Sequence, residues 1–535
     1  MTRHLLEVRN LSVRFHTVQG VVDAVRGVSW HVDRGETLAI LGESGSGKSV
    51  SSSAIMNLID CPPGEIVSGE ILFDGRDLLK ASAAERRAIN GKRIAMIFQD
   101  PLSHLNPVYT VGWQLREVMR VHGMTRVEAE ERALDLMRRV GIPDPDASLD
   151  KYPHQFSGGQ RQRVMIAMAL AMKPDIIIAD EPTTALDVTV QAEVLRLLEK
   201  LQEEMGLGLV LITHDLGVVA EVADRVVVMN SGEIVEAGTP EAIYHHANHP
   251  YTRKLIAAAP GKGAMNAPVR GGAPVLKVER ACKTYGTYHA LDEVSFELQK
   301  GEVLAVVGES GSGKSTVAKA ILRLIEADSG KALWKGRDLF TLPARDLYAM
   351  RREIQMVFQD PTQSLNPRMS VYQIISEAWV IHPEILPKAR WREQVAELLA
   401  QVELLPEHAR RYPHQFSGGQ RQRIAIARAL ALEPELIIAD EAVSALDVSI
   451  QAQVIALLDK LKRELGIAFI FIAHDLPVVR DFADHVMVME KGRVVETGTV
   501  REIFDTPREA YTRRLLAAGL DPDPEVQKAR RLAVA

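Results

Sequence analysis

The twelve residues Tyr152-Pro-His-Gln-Phe-Ser-Gly-Gly-Gln-Arg-Gln-Arg163 return as Tyr412-Pro-His-Gln-Phe-Ser-Gly-Gly-Gln-Arg-Gln-Arg423, 260 positions later. Composition cannot produce such a repeat, so the chain is a tandem duplication and must fold as two copies of one unit. Its 535 residues divide into two domains of about 200 to 260 residues, at the upper end of the usual range. In each copy a serine and a glycine pair precede a basic and apolar helix. Backbone amides at a helix N-terminus make an anion site by geometry and dipole.

A hydrophobic content of 46% and a charged content of 25% describe soluble globular material. A net charge of −6 gives no general pull toward nucleic acid. Cys61 and Cys282, the two cysteines, lie far apart in sequence, which argues against a structural disulfide or a four-cysteine metal cluster and fits a reducing compartment. The N-terminus has no apolar signal core. Runs such as Val164–Met172 and Ile467–Ala473 fall short of the roughly 18 residues needed to span a bilayer. The expectation is a cytosolic protein whose membrane role comes through a partner.

Along the first copy, Leu5–Phe15 and Val25–Val32 read as antiparallel strands. The apolar strand Thr37–Leu41 then runs into Gly42-Glu-Ser-Gly-Ser-Gly-Lys-Ser49 and a helical stretch from Val50 to Leu58. The second copy has Val303–Val307 followed by Gly308-Glu-Ser-Gly-Ser-Gly-Lys-Ser315. This is the G-x-x-x-x-G-K-[ST] phosphate loop in its strand–loop–helix context. Gly42, Ser44, Gly45 and Gly47, with Gly308, Ser310, Gly311 and Gly313, let the backbone curl its N–H groups onto phosphate, ahead of Val50 and Thr316 in the helices. Lys48 and Lys314 would neutralise the β/γ oxygens, and Ser49 and Ser315 would ligate Mg2+.

The strands Ile176-Ile-Ile-Ala-Asp180-Glu181 and Leu436-Ile-Ile-Ala-Asp440-Glu441 end in two adjacent acids. Such an end meets the site in open α/β sheets. Asp180 and Asp440 are expected to hold Mg2+ through water, while Glu181 and Glu441 point the other way along the pleat and polarise an attacking water. The alternative, a solvated acidic strand end, loses ground downstream of a phosphate loop. His214 and His474, each after an apolar strand, are expected beside the γ-phosphate. Gln99 and Gln359 sit in Phe-Gln-Asp-Pro ahead of inserted helical regions at about Leu102–Tyr152 and Thr362–Tyr412. The two lysines are 266 positions apart, whereas the glutamine, serine, glutamate and histidine pairs are 260 apart. The first copy thus carries six extra residues, expected in the Pro-Pro-Gly turn around Cys61–Ser68. Domains are placed at 1–260 and 275–535, joined by a flexible Gly/Pro-rich linker at 261–274. The tail Lys528–Ala535 reads as a frayed end.

This constellation resembles the ATP-binding cassette (ABC) ATPases over essentially the whole chain, twice. The resemblance implies an α/β fold: two tandem P-loop ATPase domains, each a mixed-sheet core with an inserted helical subdomain, paired head to tail. Ser157, Gly158, Gly159 and Gln160 would cap the ATP held by Lys314; Ser417, Gly418, Gly419 and Gln420 would cap that held by Lys48. It implies catalytic bases in Glu181 and Glu441, γ-phosphate contacts in His214 and His474, and sensors of Mg2+ and the membrane partner in Gln99 and Gln359. Phe15 and Tyr285 match the adenine-stacking aromatic, with a buried core ring as the open alternative. One departure is Ala442, where the first copy keeps the family's Glu-Pro as Glu181-Pro182; a softened loop and a modest effect on rate are expected.

Phe98-Gln-Asp-Pro-Leu-Ser-His-Leu-Asn-Pro107, its counterpart at Phe358–Pro367, and His249-Pro-Tyr-Thr-Arg-Lys-Leu-Ile256 are similar to the oligopeptide/dipeptide/nickel importer ATPases, here with two subunits fused. Fused versions serve peptide, glutathione and murein-peptide uptake, and some members carry a C-terminal cysteine cluster that this chain lacks. The resemblance implies an energy-coupling subunit bound to two transmembrane permease subunits and, through them, a substrate-binding protein. It would be peripheral, on the cytoplasmic face of the bacterial inner membrane, with no nucleic acid partner. Specificity in that group lies in the binding protein and permease, so the sequence leaves open a dipeptide, oligopeptide, murein peptide, glutathione, opine or nickel chelate. A twin-cassette translation factor is the alternative. Its long charged helical linker is hard to fit to a sixteen-residue connector, Ala259–Pro274, rich in glycine and proline. A DNA-repair ATPase with zinc modules fails on cysteine count.

Overall fold

The computed structural model describes residues 4–17, 20–184, 186–266, 274–444 and 446–534. Two compact units emerge: Met1–Ala259 together with Leu520–Ala535, and Pro260–Gly519.

In the first unit the central strand is Thr37–Leu41, buried at every position. It lies parallel between Gly208–Thr213 and Arg225–Asn230. Ile176–Asp180 and Ile94–Ile97 extend the parallel sheet on one side, and Glu233–Gly238 closes the other edge antiparallel. Strands covered on both faces read as unbroken apolar runs rather than alternating ones, which is why Ile176–Ala179 and Leu209–Ile212 carry no polar residue. A second, antiparallel sheet is built from Leu6–Thr17, Gly20–Val32, Gly64–Phe73 and Arg76–Asp77. Its inner face joins the core of the parallel sheet through Val8, Leu11, Trp30 and Phe73.

The second unit repeats this plan. Val303–Val307 lies between Ala468–Ile472 and His485–Glu490, with Leu436–Asp440, Ile354–Val357 and the antiparallel Arg493–Thr499 completing the sheet. The extra length of the first copy is partly structural rather than loop. Gly64–Phe73 is a ten-residue strand where Ser329–Trp334 has six.

The inserted regions are helical as expected. In the first unit they contain Val111–Val121 and Arg126–Arg139, the latter opened by a capping box between Thr125 and Glu128. Leu115, Met119, Ala133 and Leu136 bury their apolar faces in a core that continues through Ile166 to Leu195. In the second unit Val371–Ile381 and Trp391–Gln401 take these places.

Two expectations about the chain's connections change. The linker expected over 261–274 is docked in its described first part: Gly261 and Gly263 donate to Asp481 at 2.6 and 3.1 Å, and Asn266 donates to the Phe482 carbonyl at 2.8 Å. Its residues 267–273 lie outside the described residues. The tail is a helix, Pro524–Val534, packed in the first unit with Gln527 buried. Composition pointed to a flexible connector and a frayed end, and in the described residues tertiary contacts overrule it.

Candidate active sites

Sheet register builds each site. Leu41 pairs with Thr213 and Asp180 with Ile212. The residues that follow these strand ends, Gly42, Glu181 and His214, therefore emerge side by side at the carboxyl edge of the sheet.

The phosphate loop needs its glycines for steric reasons that the coordinates make explicit. Gly47 takes φ 97° and a Cβ there would stand 2.4 Å from the Ala24 carbonyl oxygen. Gly313 takes φ 105° with the Ala290 oxygen equally near, at 2.4 Å. Lys48 is 4% exposed, and its ammonium donates to the Gly42 and Glu43 carbonyls at 2.7 and 2.9 Å. Lys314 makes the same bonds to Gly308 and Glu309 at 2.7 and 2.8 Å. Ser49 donates to Asp180 at 2.9 Å and Ser315 to Asp440 at 3.0 Å. The structure thus brings Ser49 to Asp180 and Ser315 to Asp440, while the other expected Mg2+ ligands, Gln99 and Gln359, bond to Glu181 and Glu441. Burial pushes the Asp180 and Asp440 carboxyls up, against the serine bonds that hold them down.

Glu181 takes φ 46° and Glu441 φ 47°, left-handed conformations that are uncommon for a residue with a side chain and concentrate at functional positions. The glutamate's direction is therefore set by a turn of the backbone. The expected alternation along the strand is corrected, because the strand ends one residue earlier, at Asp180 and Asp440. His214 Nδ1 lies 3.1 Å from Glu181, Gln99 donates to the same carboxylate at 2.9 Å, and the Thr184 hydroxyl donates at 2.9 Å. Burial pushes Glu181 up, but the His214 bond and charge, with Thr184 and Lys48, outweigh it and hold the carboxyl below its ordinary range. At Glu441 the neighbouring His474 ring is the largest influence and gives the same direction.

The two sites differ in detail. His474 Nδ1 stands 3.7 Å from Glu441, and Gln359 donates at 2.6 Å. The Ser444 hydroxyl bonds to the Glu441 backbone carbonyl instead of the carboxylate. Ala442 leaves the backbone at Glu441 in the same conformation as at Glu181, so any softening lies in these side-chain contacts.

The signature serines cap the helices Gly158–Ala169 and Gly418–Leu430. Ser157 Oγ accepts from the Gln160 N–H at 3.3 Å, and Gln160 Oε1 accepts from the Ser157 N–H at 3.0 Å. The first-turn amides of Gly158 and Gly159 have no intrahelical acceptor, as at any helix start. The glycines have separate reasons. A Cβ on Gly159 would stand 2.3 Å from Val190 of the crossing helix Val188–Met205, and on Gly419 2.2 Å from Ile450, while one on Gly158 meets only Leu186 at 4.0 Å.

The aromatic pair divides. Tyr285 is 50% exposed with the Lys283 ammonium over its ring, whereas Phe15 packs against the core between Val22 and Gly64. Sequence reasoning missed Tyr251 and Tyr511. Their hydroxyls accept from the phosphate-loop N–H groups of Glu43 at 3.2 Å and Glu309 at 3.1 Å. The signal was available, since both lie in the Tyr-Thr-Arg motif that recurs 260 positions apart.

Two family models match the chain. The family described as "ABC transporter" matches residues 25–184 and 291–444. The "Oligopeptide/dipeptide transporter, C-terminal region" matches 235–282 and 495–534. The chain is 48% identical to the glutathione import ATP-binding protein GsiA of Escherichia coli (strain K12), covering 99% of this chain and 92% of that protein. The Salmonella typhimurium protein of the same name gives the same identity and coverage. Among solved structures, the post-hydrolysis dimer of the ATP-binding cassette MJ0796 bound to ADP and Pi is 31% identical, covers 42% of this chain and 99% of that one, and has a TM-score of 0.39. The chain belongs to the ABC transporter family and is the ATP-binding, ATP-hydrolysing subunit of an importer, with both cassettes on one polypeptide.

Proposed function

We propose that the chain couples hydrolysis of Mg2+-ATP at both of its sites to uptake of a peptide-class solute, with glutathione the leading candidate. The observation that carries this reading is the match over 99% of the chain to a glutathione import ATP-binding protein. The C-terminal region of the peptide-importer group, matched twice, supports the solute class. No helix among the described residues is long and apolar enough to cross a membrane. Attachment to the cytoplasmic face of the inner membrane then comes through two permease subunits, served by a substrate-binding protein.

In this reading Lys48 and Lys314 turn from the loop carbonyls to the β/γ oxygens of the nucleotide. The hydroxyls of Ser49 and Ser315, the carboxylates of Asp180 and Asp440, and the Gln99 and Gln359 amides are hard oxygen donors of the kind Mg2+ prefers. A carboxylate that burial makes reluctant to ionise gains from a cation beside it. When bound, the metal neutralises phosphate charge. Glu181 and Glu441 are kept ionised by their histidines, so each can accept a proton from water attacking the γ-phosphate. His214 and His474 hold those carboxylates in place and face the same phosphate. The signature residues 157–160 and 417–420 add first-turn amides that suit an anion where charge develops.

The test is co-purification from native membranes of the Glu181→Gln/Glu441→Gln variant with ATP. Two polytopic membrane subunits are expected in stoichiometric yield. Recovery of ribosomal proteins with no membrane subunit contradicts the reading.

A further inference from the structure

The limits of the two units carry information of their own. The chain passes from the first unit to the second at Ala259–Pro260 and back at Gly519–Leu520. These crossings are 260 positions apart, the spacing of the duplication. Each cassette's last helix, Pro250–Ala257 or Ala510–Ala518, is therefore followed by a segment that packs in the other unit.

The two segments land on equivalent elements, one in each unit. In the second unit, Gly261 and Gly263 donate to the Asp481 carboxylate, Arg480 reaches back to the Gly261 carbonyl, and Gly261 packs over Pro477. Asp481 and Pro477 lie on the helix Leu476–Phe482, which starts directly after His474-Asp475. In the first unit, Leu520 packs over Gly217, where a Cβ would stand 2.8 Å from the leucine. Gln527 donates to the buried Glu221 carboxylate at 2.6 Å, and Arg531 donates to the Glu221 carbonyl at 2.7 Å and to Glu199 at 2.6 Å. Gly217 and Glu221 lie on Leu216–Val222, directly after His214-Asp215. Gly217 corresponds to Pro477 and Glu221 to Asp481, each pair 260 apart. The exchange thus obeys the duplication, down to the acidic anchor.

These helices are short and tied to the histidine. Asp215 accepts from Gly217 N at 2.7 Å, and its other oxygen accepts from Gln191 at 3.3 Å. Asp475 caps its helix at Val478 and accepts from Gln451 at 2.9 Å. A seven-residue helix has no stability of its own, so its placement depends on what covers it. We propose that Glu221 and Asp481 are positioning residues. Each fastens a strap supplied by the opposite half of the chain onto the helix that sets His214 or His474 against its glutamate. The order of each site then depends on the chain of the other copy. The kinetic part of this proposal rests on the ATPase reading above.

Three full-length variants test it by hydrogen exchange and by ATP turnover: Gln527→Ala/Arg531→Ala, the milder Arg531→Ala at a half-exposed side chain, and Asp481→Ala. Releasing the tail is expected to raise amide exchange in Leu216–Val222 at least tenfold, to leave Leu476–Phe482 unchanged, and to lower kcat severalfold at constant KM for ATP. Arg531→Ala gives the same pattern at smaller amplitude, and Asp481→Ala gives the mirror image. Wild-type exchange in Leu216–Val222 once the tail is free, or an unchanged kcat in the double variant, overturns the proposal. A wild-type protein with no ATP turnover defeats the ATPase reading instead, and the exchange measurement then still decides on the straps.

Discussion

Gly158→Ala and Gly159→Ala separate what the signature does for packing from what it does for nucleotide. At Gly159 the new Cβ would stand 2.3 Å from Val190 Cγ1, against about 3.5–4.0 Å for a comfortable carbon contact. Val190 lies on the long helix Val188–Met205, where its χ1 has one strongly preferred rotamer and cannot swing aside freely. The two helices must separate by about 1 Å or more, and overpacking of this kind costs about 1–3 kcal/mol. Alanine's helix preference returns at most about 1 kcal/mol. At about 2–4 °C per kcal/mol for a domain of this size, the first unit's thermal transition falls by several degrees. At Gly158 the nearest atom is 4.0 Å away, so Gly158→Ala leaves the transition unchanged or slightly higher. Its methyl group instead projects from the first turn where the amides would meet phosphate, and ATP turnover drops. Differential scanning calorimetry with an ATPase assay reads both quantities. A Gly159→Ala protein as stable as Gly158→Ala refutes the packing argument, and a fully active Gly158→Ala refutes the assignment of its face to nucleotide.

Tyr251→Phe removes the acceptor of the Glu43 N–H and costs about 1–3 kcal/mol if that amide is left without a partner; nucleotide titration should show weaker binding at the Lys48 site, and unchanged affinity would show that water replaces the hydroxyl. Tyr285→Ala should weaken adenine nucleotide binding by about 1–3 kcal/mol, while Phe15→Ala should lower unfolding stability more than affinity, because that ring packs on the core. The carboxylates make opposite pH predictions. Glu181 and Glu441 sit below their ordinary 4.5, so their stabilisation is complete above pH 4.5 and is lost as pH falls through the lowered values; Glu181→Gln/Glu441→Gln should lose less stability than wild type over that range. Asp180 and Asp440 sit above their ordinary 3.8 because of burial; their contribution is full below pH 3.8 and is lost as pH rises through the raised values, so Asp180→Asn/Asp440→Asn should be more stable than wild type at neutral pH without Mg2+, and a less stable variant would contradict the burial argument.

Much of this site was readable because its residues are local and repeated. A lysine between glycine and serine at a strand–helix junction, or an acid pair ending an apolar run, announces its place by itself, and the constant spacing between copies removes the doubt that attaches to any single motif. Sequence reasoning failed where the cause is tertiary. The left-handed backbone at Glu181 is invisible in an alternating pattern, because nothing local requires it. The role of Gly159 depends on Val190, thirty-one positions away. Tyr251 reaches the phosphate loop from more than two hundred residues downstream. The segments after Ala257 and Ala518 look like a linker and a frayed end by composition. In their described parts they are held by two carboxylates, the half-buried Asp481 and the buried Glu221, whose partners no sequence window contains.

We propose that both glutamates act as catalytic bases in two working ATP sites. The direct measurement is nucleotide content and turnover of wild type, Glu181→Gln, Glu441→Gln and the double variant, each purified with Mg2+-ATP. Turnover is expected in the wild type, strongly reduced turnover in both single variants, and two unhydrolysed ATP molecules retained per chain in the double variant. Wild-type turnover in the double variant, or one ATP retained per chain, would contradict the proposal.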